Sequence, residues 1–159
     1  MALRKIVQEG DPILAKKCRP VTKIDDHIYM LLDDMIETLR DSGGLGLAAP
    51  QVGILRRMVV IELDNVLYEL INPEIIESDG DQFELEACLS VPELMGRVHR
   101  PAHVKVRAMD RKGELHEYEG TDLLARAFCH ELDHLDGVLY TSKAEELYDS
   151  DPEEGEEEA

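Results

Sequence analysis

The chain has 159 residues, 43% of them apolar and 33% charged, with a formal net charge of −18. That is one domain's length with enough apolar material for a core, and no run approaches the roughly 18 apolar residues of a membrane span. Nine acidic residues lie in the last fifteen positions, which leaves −9 over residues 1–144, so neither part offers the basic face that nucleic-acid binding needs.

Residues 1–20 read as an irregular arm, punctuated by Gly10-Asp11-Pro12 and Pro20. The first residues carry a basic flank but no apolar h-region and no small-residue cleavage site, which is not a signal peptide. Three cysteines, Cys18, Cys88 and Cys129, are too few for a disulfide framework, and a reducing cytoplasm is the expected setting. A helix is expected from near Asp25. Ile28, Leu31, Leu32, Met35, Ile36 and Leu39 form its core-facing stripe, and Ser42-Gly43-Gly44 ends it. From Met58 to Tyr118 the period becomes strand-like: MVVIE, VLYELINPEIIE, FELEACLSV, GRVHR and HVKVRAMD. Asn-Pro, Asp79-Gly80-Asp81 and Val91-Pro92 separate these runs, and a hairpin turn at Asp110–Gly113 leads into Glu114–Tyr118. A second helix follows Gly120, with Thr121 or Asp122 placed to cap it, and closes at Asp136-Gly137. The expected architecture is α+β: antiparallel strands packed around a central C-terminal helix. One domain would span residues 1–144, followed by an acidic, disordered tail over 145–159.

That second helix carries His130-Glu131-Leu132-Asp133-His134, the HExxH pattern of hydrolytic zinc sites. Two histidines four apart share a helix face and can share a metal, but a catalytic site needs three protein ligands. The pattern alone is common by chance. In metzincins a third histidine follows at the position occupied here by Tyr140. A thermolysin-like glutamate from a later helix finds little room in the twenty-five residues after His134. The third ligand is therefore sought upstream, where a cysteine is the natural candidate. Cys129 points about 100° around the helix from the histidine pair. Both it and Cys18 read as small buried hydrophobes.

Gly44-Leu45-Gly46-Leu47-Ala48-Ala49-Pro50-Gln51, then Glu86-Ala87-Cys88-Leu89-Ser90, then His130–His134 resemble, in order and spacing, the three motifs of peptide deformylases. The resemblance runs from the N-terminal arm through Tyr140. It implies metal ligands Cys88, His130 and His134, with water in the fourth position. It also implies hydrolytic removal of the N-formyl group from the formyl-methionine of new polypeptides, releasing formate. In that reading Glu131 takes a proton from the metal's water and passes it to the departing amine. The Gln51 amide and the Leu89 backbone N–H would stabilise the oxyanion. Gly44 and Gly46 would admit an extended peptide backbone, and Leu45, Leu123 and Ala127 would wall the methionine pocket. Glu86, Arg100 and Asp133 are candidates to support the ligands. One divalent metal per chain is implied, Fe2+ first, with Zn2+, Ni2+ or Co2+ as alternatives. The expected partners are N-formyl-methionyl nascent peptides, with no nucleic acid or membrane, and a monomer is the simplest assembly.

Two residues depart from the family pattern. Ala87 stands where glycine is usual, which would cost on the order of 1 kcal/mol only if φ there is positive. Cys129 stands where glutamine is common. The rivals are a metal-dependent endopeptidase, disfavoured by Tyr140, and a binding module without chemistry, disfavoured by Glu131 and Gln51. Cys129→Ser is expected to leave metal content and activity largely intact; loss of the metal would assign the thiolate to the wrong cysteine.

Overall fold

The computed structural model describes residues 2–149. Helix α1 spans Asp26–Ser42. The Asp25 carboxylate accepts the Ile28 N–H at 3.2 Å, satisfying one of the open donors of the first turn. Gly43, at φ 75°, closes the helix in the left-handed region. The expected stripe from Ile28 to Leu39 is buried.

Eight strands surround a second helix: β1 Gly46–Ala48, β2 Met58–Leu63, β3 Val66–Asp79, β4 Gln82–Cys88, β5 Val91–Arg100, β6 His103–Met109, β7 Leu115–Thr121 and β8 Glu146–Asp149. Helix α2, Asp122–Leu135, lies between β7 and β8 in the chain. The strands form two antiparallel sheets, ordered β1-β2-β3-β6-β7 and β4-β5-β8. Met58 and Val60 of β2 pack in the cluster built on α1, whereas Val59 and Ile61 pack in the cluster built on α2. All four are fully buried. Helices therefore cover both faces of the larger sheet, which is why MVVI reads as a continuous apolar run rather than an alternation.

Helix α2 is held by Ala125, Phe128, Leu132 and Leu135 against Val59, Ile61, Leu70, Val104 and Val106. Phe128 meets Tyr68 edge-on, with ring centroids 5.6 Å apart. Each fully buried side chain of this size contributes about 1.5–3 kcal/mol. The architecture is thus the expected one, an α+β fold of antiparallel strands around a C-terminal helix.

Several local expectations are corrected. Strand β8 was not anticipated, and the edge expected at Gly44 and Gly46 is the short strand β1, Gly46–Ala48. Asn72-Pro73 does not divide two strands: β3 runs through it, with the pairing to β6 shifting register between Ile71 and Glu74. Asn72 adopts φ 52° there, and its amide bonds both the N–H and the C=O of Val21 at 2.8 Å. Val91-Pro92 opens β5 instead of marking a break. Thr121 takes the N-cap position of α2 but makes no side-chain capping bond. Asp122, the first helical residue, sits at φ 51° and donates its N–H to Ala102 O at 2.9 Å. Strand β8 pairs with β5 from Arg97↔Glu146 to Leu94↔Asp149, so the sheet continues past the boundary expected at residue 144. Of the acidic stretch, residues 150–159 lie outside the described residues. No helix among the described residues is long and apolar enough to cross a membrane.

The end of α2 is set by close backbone packing. Gly137 turns the chain at φ 76°, and a Cβ there would lie 2.5 Å from the Ala15 carbonyl oxygen of the N-terminal arm. Nearby the Cys18 N–H donates to Leu135 O at 2.8 Å. Gly137→Ala is expected to cost about 2 kcal/mol or more through left-handed strain and this clash. A thermal melt should show Tm lowered by roughly 4–8 °C.

Candidate active site

The α2 repeat of 3.6 residues places His130 and His134 on one helix face, with Glu131 on the adjacent row. Cys88 reaches them as the last residue of β4, where the pairing with β5 slips between Ala87 and Cys88. Its thiol and one nitrogen of each ring all lie within 4.8 Å of one another. Cys88 Sγ stands 3.4 Å from His134 Nε2. Cys18 and Cys129 instead belong to the core around α2, where burial pushes both thiols up to about 11. They stay protonated and are poor donors to a metal.

The ring orientations come from partners behind the cluster. Glu86, two residues before Cys88 on β4, accepts from His130 Nδ1 at 2.8 Å, leaving the other ring nitrogen free to turn toward Cys88 and His134. The same carboxylate is bonded twice by Arg100, at 2.8 and 2.9 Å, and Arg100 also donates to Asp133 at 2.7 Å. Burial alone would raise the Glu86 pKa, but Arg100 and His130 hold it below the usual carboxylate range. Burial, then the nearby His130 and Arg100, keeps His134 neutral, the form a metal ligand needs. Burial opposes charge on His130 too, yet Cys88 and Glu86 beside it push the ring up to about 10: the groups around it favour positive charge at that position. A cysteine sulfur, two imidazoles and a carboxylate behind one ring are a donor set that fits a divalent cation.

Glu131 is 5% exposed, and its Oε1 has no hydrogen-bond partner among the described residues. Burial, only partly offset by His130, pushes its carboxyl up to about 7. A carboxyl there is poised to exchange a proton near neutrality. Gly46 makes room for it: a Cβ at Gly46 would stand 2.7 Å from Glu131 Oε2. A Cβ at Gly44 would likewise stand 2.8 Å from the Leu89 side chain. These glycines thus admit protein side chains as well as any backbone in the cleft. Gln51, 1% exposed, is fixed at both ends. Its Oε1 accepts the Ala48 N–H at 2.9 Å; its Nε2 donates to Ser90 Oγ at 3.1 Å and lies 3.5 Å from Cys88 Sγ.

A cavity of about 390 Å³ opens onto this group. Every residue expected in the site lines it except His134, which is fully buried behind. The cavity is walled on one side by Gly44–Gly46, on another by β4 from Leu85 to Cys88, and below by α2. Both β1 and β4 are edge strands of their sheets. Ala87 lines the cavity and is not among the non-glycine residues at positive φ, so the alanine brings no left-handed strain. Three contributors were not anticipated. Ser90 anchors Gln51, Tyr140 stacks on His130 at 5.7 Å, and Arg126 lines the cavity one turn before His130. Arg126 carried a readable signal in its spacing of four from the first histidine, and Ser90 in closing the cysteine motif; Tyr140 carried none for this contact. A further group, Asp110, Glu114 and His116, sits at the β6–β7 turn. There the Asp110 carboxylate is occupied by the Lys112 and Glu114 N–H groups and by His116.

Comparison with known proteins places this geometry. The family model described as polypeptide deformylase matches residues 3–149. The peptide deformylase of Alkaliphilus metalliredigens is 56% identical over 143 residues, covering 90% of this chain and 97% of its own. That of Caldanaerobacter subterraneus subsp. tengcongensis is 54% identical over 155 residues, covering 98% of each. The crystal structure of the Thermotoga maritima peptide deformylase superposes with a TM-score of 0.87 at 41% identity, over 89% of this chain and 97% of that one.

Glu86→Gln keeps the shape of the side chain but removes the charge that His130 and Arg100 share. It is expected to weaken metal retention about 10–100-fold, read as metal per chain after dialysis against graded chelator.

Proposed function

The chain belongs to the polypeptide deformylase family, and we propose that Cys88, His130 and His134 hold its metal while Glu131 carries the proton. Its reaction is the metal-dependent hydrolysis that removes the N-formyl group from newly made polypeptides. The observation that supports the assignment is the convergence of three donor atoms within 4.8 Å beside a buried carboxyl. A divalent cation in that cluster supplies Lewis acidity at the formyl carbonyl and lowers the pKa of water.

The side chains supply the rest. Glu131, buried and with an open oxygen, takes a proton from the attacking water and returns it to the departing amine. Gln51 turns an amide N–H toward the Cys88 side of the cluster, where charge develops on the former carbonyl oxygen. The Leu89 backbone N–H joins it, and losing one such donor generally costs about 10²–10³ in rate. The nascent chain lies extended between the edges of β1 and β4, pairing as an added strand. Leu45, Leu123 and Ala127, which line the cavity beside Glu131, take the methionine side chain.

By resemblance the metal is Fe2+, and two imidazoles with one thiolate suit it. The setting is the cytoplasm, the enzyme a monomer, and the acidic surface argues against direct binding to nucleic acid. The catalytic unit is a single domain, with β8 included as its last strand. An endopeptidase is disfavoured because Tyr140 is buried against the His130 ring and offers no imidazole.

The test is formate release from formyl-Met-Ala-Ser by anaerobically prepared, iron-loaded protein. Glu131→Ala is expected to retain its metal and lose about 10²–10⁴ in rate. An undiminished rate would remove Glu131 from the proton path.

A further inference from the structure

We propose that Arg126 closes the far end of the methionine pocket and, pinned by Gln82 and Leu85, sets the length of first side chain that the enzyme accepts. This rests on the assignment of the cavity beside Glu131 as the methionine pocket.

The cavity has a direction. Along α2 it begins at His130 and Glu131 and ends one turn earlier and beyond, at Arg126 and Leu123. Along β4 it begins at Cys88 and ends at Leu85. Four helical residues span about 6 Å, close to the reach of an unbranched side chain with three rotatable bonds. At that distance Arg126 crosses from the helix to the strand. Its Nη2 donates to Gln82 Oε1 at 2.6 Å and its Nη1 to Leu85 O at 3.4 Å. The side chain thus spans the gap between the two walls, and its stem faces the same space as Leu85, Leu123 and Ala127.

The bonding pattern separates this arginine from the others that anchor the fold. Arg4, Arg40, Arg57, Arg97, Arg100, Arg107 and Arg111 each pair with a carboxylate. Arg126 is bonded only to neutral oxygens among the described residues, although the chain holds 35 acidic residues. Its Nε is buried without a hydrogen-bond partner. Charge pairing therefore does not account for its position, whereas a rigid planar end wall does.

Two peptides read this out: formyl-Met-Ala-Ser and the same tripeptide with 2-aminooctanoic acid, whose unbranched side chain is longer, as first residue. Wild-type enzyme is expected to favour the methionine peptide strongly in kcat/KM. In Arg126→Ala that preference should fall at least tenfold, chiefly through a lower KM for the longer peptide. Gln82→Ala, which frees the arginine without deleting it, should shift the ratio the same way by a smaller factor. It also keeps the test open should the first variant not fold. An unchanged ratio in either folded variant would overturn the role of Arg126 while leaving the reaction intact. No formate from wild-type enzyme with either peptide would overturn the underlying site assignment as well.

Discussion

The Glu86 carboxylate is the point on which the site depends. It is almost wholly buried, bonded twice by Arg100 and once by His130, and it joins β4, β5 and α2 through one group. Removing one partner from a buried ion pair generally costs about 3–5 kcal/mol, because the other charge is left without solvent or counter-charge. Asp133 and Lys143 extend the network to the outer face of α2. The smaller sheet and the helix cannot shift independently without breaking it. Cys88, two residues along β4, therefore meets the two histidines in a fixed geometry, as a catalytic constellation requires.

The same region shows how packing and chemistry share residues. Gly46 lacks a side chain where Glu131 needs space, and Gly44 where Leu89 does. Gln51 is held at its oxygen by the Ala48 N–H and at its nitrogen by Ser90. Each restraint removes rotamer freedom from a group assigned above to the reacting centre, so little ordering would be left to occur during the proposed reaction.

How much of this was legible in the sequence depended on the range of the signal. Helix α1 was readable because its stripe and caps are local. The HExxH pair was readable because helical spacing fixes its face, and the approach of Cys88 to it because the three motifs occur together. Strand β1 was readable only as an edge at its glycines, since three residues carry no period, and β8 was hidden in a stretch whose composition reads as solvated. Asn72-Pro73 misled because its cost is met by Val21, fifty-one residues away in sequence. Ser90 was visible as a motif residue but not as the anchor of Gln51, and Tyr140 acts through a contact that no spacing rule announces. Ala87 was a conditional question of backbone angle that only coordinates resolve, and it resolves without strain.

The cleft lies between the open edges of two sheets, β1 on one side and β4 on the other. Such a slot is complementary to a single strand whose amides are unspent on both edges; a helix has spent its interior amides, and a strand of a hairpin keeps only one edge free. With the substrate docked as proposed, such a slot would discriminate by the age of the chain end it receives. A chain end that has already folded would not enter it, so the time open to the reaction would be set by how quickly the substrate's own N-terminus finds its native partners.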